Sequence, residues 1–348
     1  MKIDQLILSA RTMGCSDIHI SVGMPLMFRI NGRLQRAPQQ YSDEETEEMI
    51  SELLTDRQKQ ELSGGVDADF SVCTSDGNRQ RVNVFKQDKK LAATIRLLNS
   101  SIPSLDMLGL PKVLNELAEK PRGLILVTGP TGSGKSTTLA AMIDHINESR
   151  PDHIITIEDP VEYKYDKKLA LIHQREVGID VKDFASALRS ALREDPDIIL
   201  VGEMRDYETI AAALTAAETG HLVMSTLHTT GAAQTIDRII DACPAGIQNQ
   251  IRTQLAGVLN GVITQCLIPN AKGNGRVAAT EILIGTDAVC NQIRENKCHQ
   301  LGSLMQSGVA YGMHTLNAEL SRLMQSGIIT REAALKYTND KAELEQYL

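Results

Sequence analysis

Tryptophan is absent from this 348-residue chain, and phenylalanine occurs only four times. Platforms on which nucleic-acid bases stack are therefore scarce. There is no basic excess either. The formal net charge is -8, so nothing in the overall balance calls for nucleic acid or an anionic membrane as a partner. No stretch approaches the roughly 20 apolar residues of a membrane-spanning helix. The start, Met1-Lys2-Ile3-Asp4, shows no secretory signal pattern. Six cysteines are scattered without a Cys-x-x-Cys pair, which argues against a zinc knuckle or a redox dithiol and suits a reducing, cytoplasmic setting. What remains is ordinary globular composition, 42% apolar and 23% charged. Its length suggests about two domains.

One motif stands out. Gly129-Pro130-Thr131-Gly132-Ser133-Gly134-Lys135-Ser136 fits the phosphate-loop pattern without a mismatch. A buried strand is expected before it over Gly123–Thr128, and a helix after it over Thr137–Asn147. Glycines allow a tight turn whose successive N–H groups converge on an anion. The helix that starts there adds its dipole, and Thr137 falls in its first turn. The pattern predicts a nucleoside triphosphate as ligand, with Lys135 on the β- and γ-phosphates and the Ser136 hydroxyl on Mg²⁺.

The first ~98 residues read as a small mixed domain. A helix is expected over Lys2–Met13, short strands around Asp17–Ser21 and Leu26–Ile30, and a tight turn at Asn31-Gly32. Ser42 and Glu45 form a capping box opening a helix to about Leu54. Further strands are expected at Asp67–Cys73, Arg79–Phe85 and Leu91–Leu97. Residues 99–111, rich in Ser and Pro, read as a linker. From residue 112 to the end, helices alternate with apolar strands at Leu124–Val127, Ile154–Ile157, Ile198–Val201 and Leu222–Ser225, the signature of a largely parallel sheet. After about residue 248 the chain is expected to be mainly helical.

Other residues join the loop as candidates. Ile198–Val201 delivers Glu203, after Gly202, to the sheet's upper edge, suited to holding Mg²⁺ through water. Ile154–Ile157 ends in Glu158, Asp159 and Glu162. Glu158, first off the strand, is the expected base for the attacking water. His221 and His228 bracket Leu222–Leu227. No cysteine or carboxylate lies at ligand spacing beside them, so zinc is discounted, and His228 is the expected γ-phosphate sensor. Arg79, Arg81 and Arg96 lie on strands of the first domain. Arginine's planar fork suits phosphate oxygens, although from the sequence alone ordinary salt bridging on a strand face is the favoured reading of each.

Taken together, these segments resemble the secretion-superfamily ATPases, and among them the type IV pilus retraction ATPases. The resemblance runs over nearly the whole length. It is carried by Ser16–Ile20, Ile30–Leu34, Arg79–Asn83, Gly129–Thr137, Ile157–Tyr163, Gly202-Glu203 and Gly220–Thr229. It implies a homohexamer of subunits with a PAS-like α+β domain followed by a RecA-like phosphate-loop domain. ATP is implied at the junction of these domains and a neighbouring subunit. Arg81 and Arg96 match the family's nucleotide-contacting arginines, Glu158 its catalytic base, Glu203 its second acidic element, and His221 and His228 its histidine box. The implied partner is a platform protein of the inner membrane, through which alone the ring meets the membrane. Departures occur at Lys89-Lys90, where the family usually has Arg-Gly, and at Ala288–Ile293, where retraction members usually carry Ala-Ile-Arg-Asn-Leu-Ile. The chain carries neither the tetracysteine zinc module nor the long N-terminal extension common in assembly ATPases, which favours retraction. The alternatives are an assembly or secretion ATPase, a hexameric nucleic-acid translocase and a non-catalytic regulator.

Overall fold

The computed structural model describes residues 2–30, 32–98 and 101–347. Asn31 of the expected turn, and Asn99 and Ser100 of the expected linker, lie outside them. The chain is a mixed α/β protein of two compact units, Met1–Ser101 with Glu162–Lys164, and Ile102–Val161 with Tyr165–Leu348.

The first unit is built on an antiparallel sheet of six strands: β1 (Cys15–Ser21), β2 (Met27–Ile30), β3 (Arg33–Arg36), β4 (Ala68–Cys73), β5 (Arg79–Gln87) and β6 (Lys90–Leu97). Their spatial order is β3-β2-β1-β6-β5-β4. Side chains alternate across such strands. Along β5, Gln80, Val82 and Val84 are buried while Arg79, Arg81 and Asn83 turn to the other face. The inner face packs with Ile3, Leu6 and Ile7 of helix Lys2–Thr12 and Met49 and Ile50 of helix Asp43–Ser51. The second of these helices starts with the Ser42/Glu45 capping box, both halves formed. Register sets Arg96 of β6 opposite Arg81 of β5 and Asp17 of β1.

The second unit holds a seven-stranded sheet: β7 (Gly123–Thr128), β8 (His153–Glu158), β9 (Leu171–Glu176), β10 (Ile198–Val201), β11 (Leu222–Leu227), β12 (Leu259–Pro269) and β13 (Arg276–Ile284). The order is β13-β12-β7-β11-β10-β8-β9, parallel from β12 to β9, with β13 antiparallel on the edge. Both faces are covered, which explains the unbroken apolar runs. Leu124, Leu126, Ile155, Ile157, Ile199 and Val223 pack into one layer. Their neighbours Ile125, Val127, Ile154, Ile198, Leu200 and Met224 pack into the other.

Two expectations need correction. Leu259–Pro269 and Arg276–Ile284 are long strands within the region expected to be mainly helical after about residue 248; helix resumes at Asp287. Residues 102–111, expected as linker, belong to the second unit, where Leu105 and Leu110 are buried in its core.

Candidate functional site

The phosphate loop follows β7 directly and ends in a 15-residue helix, Lys135–Ser149. Three of its glycines hold positive φ: Gly129 at 139°, Gly132 at 77° and Gly134 at 91°. A side chain is excluded most firmly at Gly129. There a Cβ would collide with the Gln265 carbonyl oxygen and come within 2.6 Å of Ser133 Oγ. The bend is therefore a feature of packing as well as of dihedral freedom. Pro130, Thr131 and Gly132 are exposed, while Ser136 and Thr137 lie half-buried in the first helical turn. A helix start of this kind, with its positive dipole end, favours an anion.

Lys135 is buried, and its ammonium donates to the carbonyls of Gly129 (2.9 Å) and Pro130 (3.2 Å). It also lies 3.5 Å from His228 Nδ1. On the other side of the ring, His228 Nε2 lies 3.5 Å from the Glu203 carboxylate. Arg205 Nε donates to the same Glu203 oxygen at 2.7 Å. Strand order explains this line of contacts. β7, β11 and β10 are neighbours, so the residues leaving their carboxyl ends fall side by side. The structure thus brings Lys135, His228 and Glu203 together. Arg205, which completes the line, was not singled out from the sequence.

Glu158 ends β8, one strand beyond β10 and three strand spacings, about 14 Å, from β7. Its carboxylate accepts from Thr156 Oγ1 (2.6 Å) and Gln174 Nε2 (3.2 Å). Asp159 instead lines a cleft of about 490 Å³ with Glu203, Arg205, Arg189 and Asp206. His221 sits at the opposite end of β11, its Nδ1 bonded to the Ala216 carbonyl (2.9 Å), apart from the loop. In the first unit, Arg81 grips Asp69 with two bonds (3.2 and 2.7 Å), and Arg96 donates to the largely buried Asp17 (3.0 Å). Two guanidinium groups directly across a strand pair repel. Each is offset by its own carboxylate.

Several supporting residues were not legible. Gln265 of β12 donates through Nε2 to the Ser133 carbonyl (2.7 Å) and accepts from Thr138 Oγ1 (2.9 Å). A run of hydroxyls, Thr264, Thr128, Thr235 and Thr229, with contacts of 2.8, 3.5 and 2.7 Å, links β12 through β7 to the loop after His228. Glu281 of β13 accepts from the N–H of Ala232 (2.7 Å), fixing the helix that follows this loop, and from that of Leu316 (3.5 Å). Burial pushes its carboxyl above the usual range despite these bonds.

With this geometry in view, the chain was compared with known proteins. A family model described as Type II/IV secretion system protein matches residues 1–345. The type IV pilus retraction ATPase PilT of Pseudomonas aeruginosa is 48% identical over 96% of this chain and 97% of its own. A twitching motility protein of Neisseria gonorrhoeae is 51% identical over 88% of this chain and 83% of its own. The crystal structure of the pilus retraction motor PilT with bound ADP superposes with a TM-score of 0.92 at 47% identity, covering 99% of both chains. A complete phosphate loop, an acidic residue two strands away and a match spanning both units together make this chain a member of the Type II/IV secretion system protein family.

Proposed function

We propose that this chain is the subunit of a homohexameric motor that hydrolyses ATP to retract type IV pili, the movement behind twitching. The observation that carries the reading is the contact line Lys135, His228, Glu203 over an intact phosphate loop. The likeness to PilT along the whole chain supplies the direction, retraction. In this reading the first unit is a PAS-like domain and the second, from residue 102 onward, a RecA-like ATPase domain.

Residues 129–137 cradle the triphosphate. Phosphate oxygens compete with the Gly129 and Pro130 carbonyls for the Lys135 ammonium. His228, beside that ammonium, responds to the same exchange. The Ser136 hydroxyl and Glu203 carboxylate offer the hard oxygen donors that suit Mg²⁺, Glu203 through water. Bound there, Mg²⁺ would neutralise charge on the β- and γ-phosphates. Glu158 takes the proton of the attacking water once it turns from Thr156 and Gln174. Arg81 and Arg96 are the candidates for offsetting developing charge, one of them from a neighbouring subunit. Loss of the γ-phosphate then drives rigid-body motion. The force is passed to a platform protein at the cytoplasmic face of the inner membrane. No helix among the described residues is long and apolar enough to cross a membrane, so the platform is the proposed anchor.

Deleting the gene tests the direction. Retraction loss leaves piliated cells that do not twitch; bare cells would instead point to an assembly ATPase. Phosphate release by purified protein tests the enzyme, and stimulation by DNA would favour a translocase.

A further inference from the structure

Gln265 lies in β12, between β7 and β13, and is almost fully buried. Its side chain makes two bonds of opposite sense. Nε2 donates to the Ser133 carbonyl, and Oε1 accepts from the Thr138 hydroxyl. A carbonyl cannot donate, so the amide has only one orientation that satisfies both. No ionised carboxylate or apolar side chain of this shape supplies a donor and an acceptor together.

The bond to Ser133 has a consequence across the peptide plane. In a planar trans peptide the C=O of Ser133 and the N–H of Gly134 point in opposite directions. Drawing the carbonyl onto β12 turns the Gly134 N–H away from β12, and in the nucleotide-site reading the anion lies on that side. The bond to Thr138 fixes the first turn of the helix in the same register. Meanwhile the main-chain oxygen of Gln265 packs against Gly129, so the same residue holds both ends of the loop.

We propose that Gln265 is the positioning residue of the phosphate loop: it touches no ligand, but its amide aims the loop's N–H groups at the nucleotide's phosphates. The inference rests on residues 129–137 being the nucleotide site.

The test is titration of ADP into the full chain from about pH 5.5 to about pH 8.5 for wild type, Gln265→Glu and Gln265→Met, with the nucleotide-free melting temperature of each. Gln265→Glu is expected to bind ADP about 10-fold or more weakly at the alkaline end, the scale of one misplaced buried hydrogen bond. The deficit shrinks toward the acid end, because a protonated carboxyl regains one donor and burial raises its pKa. Gln265→Met is expected to be weakened equally at every pH. Variants that match wild type within about twofold, or a Glu deficit that ignores pH, overturn the proposal while leaving the nucleotide reading intact. Wild type that takes up no ADP overturns both. If neither variant at 265 folds, Thr138→Val removes the other half of the clamp, and undiminished ADP affinity there overturns the proposal.

Discussion

Gly129 and Gly132 both hold positive φ in one loop, yet alanine should act on them very differently. At Gly132 nothing lies within 4 Å of a new Cβ. Gly132→Ala therefore costs only the left-handed strain of one residue, about 1–2 kcal/mol. At Gly129 the φ of 139° is joined by collision with the Gln265 carbonyl. That oxygen belongs to a strand flanked on both sides, with Gln265 itself in register with Thr280, so it has little freedom to retreat. Dihedral strain of about 1–3 kcal/mol then adds to overpacking of about 1–3 kcal/mol. For a unit of this size each kcal/mol moves the melting temperature by about 2–4 °C. Gly132→Ala should thus melt a few degrees below wild type, and Gly129→Ala on the order of 10 °C below. The assay is calorimetric melting of nucleotide-free protein, repeated in saturating ADP. Ligand at about 100 times its Kd adds about 2.7 kcal/mol to an intact site, and Gly129→Ala should lose much of that gain. Two variants melting within a couple of degrees of each other would refute the packing argument.

Three further outcomes are expected. Lys135→Ala removes charge-assisted bonds of about 1.5–3 kcal/mol each, so ADP affinity should fall by one to two orders of magnitude and phosphate release should cease. Undiminished turnover would exclude the site. Arg81→Ala breaks a pair whose two side chains are 40% and 46% exposed. Stability should change by less than about 1 kcal/mol while turnover falls, whereas unchanged turnover would leave Arg81 a surface ion pair. Glu281 has its folded-state carboxyl raised by burial, so its contribution is fully present below the unfolded value of 4.5 and is lost as pH rises through the folded value. The melting temperature of Glu281→Gln minus that of wild type should grow with pH over this window and then level off; a pH-independent difference would contradict the assignment.

Legibility followed how local each signal was. The phosphate loop is a contiguous pattern, and its strand and helix flank it as expected. Glu203 and His228 could be nominated because each leaves an unmistakable apolar strand. β12 could not, because burial on both faces erases the alternation of a strand, and Leu259–Pro269 follows a genuine helix, Gln248–Val258, without a turn signal. Gln265 was lost with it. The mostly polar β9 gave no hydrophobic pattern, so the Gln174 grip on Glu158 was invisible too. Local chemistry was also missed once. Thr55 and Gln58 form a complete capping box for the helix Asp56–Ser63, the same device that was recognised at Ser42.

Strand order also separates two kinds of acidic residue at the candidate site. Glu203 stands two strands from the phosphate loop and is joined to Lys135 through one imidazole. Anything that draws the ammonium away from the loop carbonyls therefore alters what His228 and Glu203 face. Glu158 stands one strand further out, with its carboxylate turned to Thr156 and Gln174. A general base must come within about 3 Å of the proton it removes. The residues proposed to grip phosphate are thus coupled side by side, whereas the residue proposed to activate water is held by partners on its own and the neighbouring strand. A motor needs that asymmetry. Hydrolysis that fired as soon as nucleotide docked would spend it before the subunit had moved, whereas the proposed base, held on its own strand, would make cleavage wait for a rearrangement.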